Sequence, residues 1–291
     1  MKNTNIPKHQ FKYSLKRVDG FDINSLSKVE ELRGESLYEP HTMGFYILIH
    51  AKKASGILSI DFKQIVLRDN IIIPVALGQV IQYDRNVVMK GDVIKFTSDF
   101  LLKEKVNLCY LYGSILLNPH VSSPVFAVTK TIKQQVKSII KAFDKKSNSF
   151  QYEELLRCHL KILIINLESK NLDEVNDDVE SDIFEDCYFY ELLNKRISYR
   201  LKVVDIADEL KITPKKLNRL LKKKTGRTTK SFIDERLILE IKRLLVHSDM
   251  TIKEIAYQLH FDEVCNMSNY FKRHTSISPL QFRNESNSVF L

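Results

Sequence analysis

Two stretches of the chain repeat each other at a spacing of about fifty residues. Ile206-Ala207 and Leu210 recur as Ile255-Ala256 and Leu259, while Leu217, Leu221-Lys222, Gly226, Thr228 and Phe232 recur as Met267, Phe271-Lys272, Ser276, Ser278 and Phe282. The offset is 49 residues before the turn and 50 after it, so the second copy carries one extra residue near Asp262-Glu263. Each copy reads as a short helix, a tight turn and a second helix, which is the helix-turn-helix pattern. One such match is weak, because many helix pairs share it. Two in register, joined by one helix, restrict the last third of the chain to an all-α domain carrying both.

Charge follows the same division. Residues 187–291 hold 20 Lys/Arg against 12 Asp/Glu, whereas residues 1–186 hold 25 against 24. A nearly neutral first part and a basic last third point to an anionic partner for the last third. Cys109, Cys158, Cys187 and Cys265 lie far apart with no CxxC pair, as expected of reduced, mostly structural thiols in a cytoplasmic protein. Met1 to Gln10 is mostly polar and reads as no signal peptide, and Leu160 to Leu167 is too short to span a bilayer. A soluble protein with no membrane partner is expected.

Seven of the eight glycines lie at or before Gly113, so a turn-rich, β-forming part precedes a helical one. Short apolar or alternating segments recur at 45–50, 57–62, 64–67, 71–75, 80–83 and 93–96, the pattern of a β-sandwich or barrel. Gly91-Asp92 reads as a hairpin turn. Beyond Pro124 the period becomes helical. Ile132, Val136, Ile139-Ile140 and Phe143 form one apolar stripe, and Leu155-Leu156, Leu160, Leu163-Ile164 and Leu167 form another. Helices at 131–143 and 152–168 would cover the open face of the barrel or pair with a second copy in a homodimer. From Glu168 to Asp186 there are nine acidic residues and one lysine, a charged connector. The expected fold class is therefore α+β in two domains. Residues 1–170 form a β-barrel domain with two following helices, 171–186 an acidic linker, and 187–291 an all-α domain with two helix-turn-helix motifs joined by a linker helix.

Within that last domain the helix ends are marked. Thr213 caps a helix with Pro214 at its first position, and Gly226 ends it. A long helix follows at about 230–247, and Thr251 with Glu254 forms a capping box opening the second copy. Between Lys211 and Lys230 there are nine basic residues and no acidic one. Ile212, Leu217 and Leu220-Leu221 supply the buried face, so Lys215, Lys216, Asn218, Arg219, Lys222 and Lys223 project outward. A helix so basic repels itself, and a double-stranded DNA backbone relieves that repulsion while releasing counterions. Arg219 suits O6/N7 of guanine and Asn218 suits N6/N7 of adenine.

At these residues the segment from Val203 to Arg283 resembles the DNA-binding domain of the AraC/XylS family of transcription regulators. "IADELKITPKKLNRLLKKKTG" matches the first motif of that family and "FKRHTSISPLQFR" the end of its second. The resemblance implies a cupin-like N-terminal domain controlled by a small-molecule effector. It also implies transcription activation through contact with RNA polymerase. Three positions depart from the family pattern. His260-Phe261 stands for Gly-Phe, Met267 and Asn269 stand for an aromatic residue and an arginine, and Ser276 stands for a glycine. Methionine can fill an aromatic's space. The second reading face, Val264, Cys265, Ser268 and Asn269, is nearly uncharged and is backed by Lys272 and Arg273 for phosphates, so the first motif is expected to carry most of the sequence reading.

Two other classes of function fit the residues less well. A cupin-like enzyme fused to a DNA-binding domain would need clustered metal ligands, and His41, His50 and His120 lack the His-x-His spacing. With no phosphate loop or nucleophile elbow either, no enzyme, no cofactor and no metal site is expected. A non-regulatory DNA-packaging protein would not need Asn218 and Arg219. Tyr46, Tyr83, Phe96 and His41 are candidates, by chemistry alone, for lining an effector pocket.

Overall fold

The computed structural model describes residues 8–9, 18–102, 114, 116–117, 125–145, 149–169, 189, 192–193 and 196–289. The acidic segment 171–186, Cys109, Cys187 and His120 lie outside the described residues. The chain divides into two compact units, one over Pro7–Asp177 and the other including Asp178–Leu291.

The first unit opens with β1 (Lys8–His9), β2 (Phe21–Ser25) and α1 (Leu26–Arg33), the helix being capped by the Ser25 side chain. Strands β3 (His41–Met43), β4 (Tyr46–Ser55), β5 (Ile57–Ile60), β6 (Lys63–Val66), β7 (Ile71–Val75), β8 (Val80–Tyr83) and β9 (Val88–Phe96) follow. After α2 (Ser98–Leu101) and β10 (Phe126–Ala127) come α3 (Lys130–Asp144) and α4 (Phe150–Ser169). The strands form two five-stranded sheets, ordered β1-β3-β8-β5-β6 and β10-β7-β4-β9-β2.

Alternation along the strands builds two cores. Ile47, Ile49 and Ala51 of β4 face Leu58, Ile60 and Ile81 of the other sheet, forming the interior of the sandwich. Tyr46 and Leu48 of the same strand point the opposite way and meet Ile132, Val136, Ile139, Leu156, Leu160 and Leu163 of α3 and α4. Both stripes of the helices are thus largely spent within the unit as a cover over one sheet. Tyr152 of α4 donates its hydroxyl to the Phe143 carbonyl at 2.7 Å, and the buried Arg157 donates to the Phe100 carbonyl at 2.6 Å. These bonds tie the cover to itself and to α2. One side of α4 remains open: Leu155, Ile162 and Ile165 are 45–51% exposed, with Cys158 also exposed between them. Cys158 and Cys265 are both exposed, a departure from the mostly structural thiols expected from sequence. A thiol on a helix shows no local sign of which way it points.

Three sequence expectations need correction. Gly91 is not in a hairpin turn but within β9, opposite Ala51, beside a register shift between Ala51 and Lys53. A Cβ there would overlap the His50 carbonyl oxygen, so the glycine is required by a close backbone approach at a bulge. Strand β4 likewise continues beyond His50 to Ser55, because Lys53–Ser55 pair with Val88–Lys90 after the bulge. The charged Lys52-Lys53 hid that continuation. The four aromatic candidates also fail to line one cavity. Tyr46 stacks on Phe96 at 5.4 Å under the helices, whereas His41 stacks on Tyr83 at 6.5 Å in the sandwich. Alternate sides of a strand cannot share a pocket.

The second unit contains α5 (Val203–Glu209), α6 (Pro214–Thr225), α7 (Thr229–His247), α8 (Ile252–Gln258), α9 (Val264–Thr275) and α10 (Pro279–Val289). Helix α7 packs against α6, α8, α9 and α10, so one helix serves both copies of the repeat. Its inward residues Leu237, Ile241 and Leu245 meet Ile255, Ala256, Met267 and Phe271. Met267 is completely buried, filling the place an aromatic ring would take. Among the described residues no helix is long and apolar enough to cross a membrane.

Gly91→Ala is expected to destabilise the sandwich by about 2 kcal/mol, as strained or overpacked backbone positions do. A lowered midpoint in denaturant unfolding followed by far-UV circular dichroism would show it, and an unchanged midpoint would refute the close approach.

Candidate nucleic-acid interface

The two motifs are built on matching backbone bonds. In the first, Leu210 N–H donates to Ile206 O, Lys211 to Asp208 O and Ile212 to Ala207 O, at 3.0 Å each. In the second, Leu259, His260 and Phe261 repeat these bonds to Ile255, Tyr257 and Ala256 at 2.9–3.0 Å. Both turns require a left-handed residue, and both use one with a side chain: Lys211 has φ 56° and His260 has φ 60°. Such residues cost roughly 1–2 kcal/mol relative to right-handed backbone. The packing of Ile206-Ala207 and Ile255-Ala256 beneath each turn holds them there. The next left-handed position repeats as well, at Gly226 with φ 73° and Ser276 with φ 68°. The extra residue of the second copy is Asp262, since Ile212 corresponds to Phe261 and the capping Thr213 to Glu263.

On α6, Leu217, Leu220 and Leu221 are buried. Lys215, Arg219, Lys222 and Lys223 are exposed and fall on one face, three or four residues apart, while Lys216 is half-buried. Ion pairs of the unit away from this face include Arg196–Glu209, Arg227–Glu235 at 2.5 Å and Lys230–Asp234 at 2.6 Å. Among the described residues, no ion pair includes Lys215, Arg219, Lys222 or Lys223. A cationic face without local anions is held in a state that an external polyanion relieves.

Asn218 does not join that face. It is half-buried, and its Oδ1 accepts the Thr229 N–H at 3.0 Å, closing the first turn of α7. An oxygen so engaged cannot be aimed at adenine N6, so the bidentate contact expected at this position is withdrawn. The repeat itself carried the sign: the counterpart of Thr229 is Pro279, which has no N–H, and the counterpart of Asn218 is Ser268, which needs none to accept.

On α9, Cys265 and Asn269 are exposed and Val264 and Ser268 are half-buried. Lys272 and Arg273 are exposed at the far end, with the Arg273 guanidinium 5.6 Å from the centre of the Tyr270 ring. The counterparts of Lys215 and Arg219 are thus Cys265 and Asn269, while those of Lys222 and Lys223 stay basic. Tyr270 donates its hydroxyl to Asp234 of α7 at 2.8 Å, and burial together with that bond raises its pKa. Residues missed by the sequence reading include Asp234 and Arg283, which fix α9 and α10 to α7.

In the first unit, His41 Nδ1 pairs with the Glu39 carbonyl at 2.8 Å and His50 with Asp92 at 3.3 Å. Among the described residues, no three His, Cys, Asp or Glu side chains gather as metal ligands would.

Two helix-turn-helix motifs on one linker helix, with an uncompensated cationic face on the second helix of the first, define a DNA-binding transcription regulator. Residues 206–285 match the helix-turn-helix domain family. Over 279 residues the chain is 23% identical to the HTH-type transcriptional activator RhaS of Yersinia pestis, covering 93% of this chain and 98% of that one. These matches agree with the resemblance of Val203–Arg283 to the DNA-binding domain of AraC/XylS-type regulators. Among solved structures it is similar to unsaturated fatty acid-bound ToxT from Vibrio cholerae, with 15% identity, a TM-score of 0.42, and coverage of 92% of this chain and 96% of that one. It is also similar to the C-terminal domain of the response regulator yesN from Fusobacterium nucleatum, with 21% identity, a TM-score of 0.31, and coverage of 33% and 93%.

Asn218→Ala is expected to lower stability by about 1–2 kcal/mol, since it leaves the Thr229 N–H without its acceptor. The base preferences of the protein should be unchanged. Thermal unfolding beside selection from a random duplex pool separates the two effects, and a changed preference at equal stability would return Asn218 to the reading face.

Proposed function

We propose that the chain is a cytoplasmic, non-enzymatic transcription activator whose two recognition helices, α6 and α9, enter successive major-groove segments on one face of double-stranded DNA. The observation that carries this reading is the bare cationic face of α6. Recognition helices of this kind lie about one helical turn, roughly 34 Å, apart along the duplex. Arg219 reads guanine, and Lys215, Lys216, Lys222 and Lys223 hold phosphates. On α9, Val264, Cys265, Ser268 and Asn269 face the bases, with Lys272 and Arg273 on the backbone. Activation is supported by the name of the relative RhaS and would proceed through contact with RNA polymerase. Residues 1–170 would serve as the effector and dimerisation domain, 171–186 as linker and 187–291 as the DNA-binding domain. A recess between α1 and the sandwich, lined by Leu26, Val29, Leu37, Tyr83 and Met89, has room for little more than water and would have to open to admit a small effector.

The homodimer proposed for the first unit is supported by a surface that shares only Leu155 with the stripes read from sequence. The rest of those stripes covers the sheet, whereas Leu155, Ile162 and Ile165 form an exposed ridge on α4. Two such ridges would bury each other in a symmetric pair. Sedimentation of the full chain at micromolar concentration should give a dimer, and Ile162→Lys a monomer. A monomeric wild type would remove the proposal.

Arg219→Ala should cost roughly ten-fold or more in affinity for a duplex selected by the wild type, and should relax base choice at one position. Lys222→Ala should weaken selected and scrambled duplexes about equally, and Asn269→Ala should cost less than Arg219→Ala. Titrations of the three variants against both duplexes test this. A larger loss of discrimination in Asn269→Ala would move the main reading to the second motif, and equal binding of both duplexes by the wild type would favour a packaging role.

A further inference from the structure

We propose that Glu263 is a specificity-determining residue of the second motif and selects cytosine in the major groove, a role that rests on the DNA-binding reading above. Glu263 occupies the N-cap of α9, directly before Val264 and Cys265. The first residues of a recognition helix are those that meet base edges. Its counterpart Thr213 spends its hydroxyl on its own helix, accepting the Lys216 N–H at 3.2 Å. Glu263 makes no such side-chain cap, so the helix end does not consume its carboxylate.

The carboxylate is instead drawn toward the reading face. Its Oε2 accepts from Cys265 Sγ at 3.0 Å, and Cys265 is followed on that face by Asn269 and Lys272. That hydrogen bond raises the thiol pKa, so the sulfur keeps its proton and goes on donating. The neighbouring acid, Asp262, is engaged by Arg200 at 2.6 Å and does not compete for the same place.

A carboxylate in this position has few local cations to shield it, because Lys215 and Lys216 of the first motif are replaced here by Cys265 and Asn266. Approach to the phosphates therefore costs free energy unless a base offers a donor. Guanine presents N7 and O6 and thymine O4, all acceptors, which repel a carboxylate. Adenine offers the N6 amino group but sets the N7 acceptor beside it. Cytosine offers its N4 amino group next to a C5–H, and it is the base whose edge a carboxylate accepts from without a second repulsive contact.

The test is selection by the full chain from a pool of random duplexes, followed by titration of the selected duplex and its single-base variants. The wild type should enrich a cytosine at one position within the segment read by α9. Replacing that cytosine by thymine or guanine should weaken binding about five-fold or more. Glu263→Gln should move the preference at that position to adenine, since a carboxamide pairs with N6 and N7. Asp262→Asn, which removes the same charge one residue away, should leave the selected sequence unaltered. An identical selected sequence for wild type and Glu263→Gln would overturn the proposal, even if the variant bound every duplex more tightly. So would an equal shift in Asp262→Asn. A pool from which neither protein enriches any sequence would instead overturn the DNA-reading assignment itself, and this proposal with it.

Discussion

Side chains of three other helices, Asn218 of α6, Tyr270 of α9 and Arg283 of α10, hydrogen-bond to helix α7, and the DNA-binding unit depends on them. At its start, Asn218 Oδ1 takes the Thr229 N–H. Along its length, Asp234 takes the Tyr270 hydroxyl from α9. At its end, Arg283 of α10 donates to the Leu245 carbonyl and, just beyond, to the Met250 carbonyl, each at 2.7 Å. The Thr229 N–H and the Leu245 carbonyl are backbone groups that a helix terminus leaves open. Two motifs can read a duplex together only if their spacing is constant, and a rigid helix pinned at both ends supplies that constancy. Desolvation lowers the pKa of the partly buried Arg283, and its hydrogen bonds to two carbonyls meet the need of a buried charge for partners.

The copies share a skeleton and differ in what they display. Backbone bonds, left-handed turn positions and buried Ile-Ala pairs match residue for residue, because each copy solves the same problem of folding one short helix across another. Side chains on the outer face are not bound by that problem. The first copy therefore carries Lys215 and Arg219 where the second carries Cys265 and Asn269. Losing positive charge at the tip of α9 while keeping it at Lys272 and Arg273 separates base reading from phosphate anchoring along a single helix.

In the first unit the same economy appears in β4, buried on both sides. One side closes the sandwich and the other accepts α3 and α4. Helix α4 consequently has two apolar faces, one covering the sheet and one formed by Leu155, Ile162 and Ile165 that the described residues leave uncovered.

Local physics in the sequence was enough to place six of the strands, both motifs, the caps at Thr213 and Thr251, the left-handed stop at Gly226 and the cationic stripe of α6. Periodicity and capping involve residues within a few positions of one another, so they are written along the chain. Helix α1 escaped this reading because its apolar face is thin, with only Leu26 buried. What the tertiary structure decided depends on partners far apart in sequence. Gly91 lies against His50, Tyr46 and Tyr83 fall into different cores, and Asn218 is bound to Thr229 instead of being presented to a base. A side chain's type states what it is able to bond with. Only the packing of distant segments settles which partner it meets, since a buried donor left unmatched costs more than an exposed reader gains.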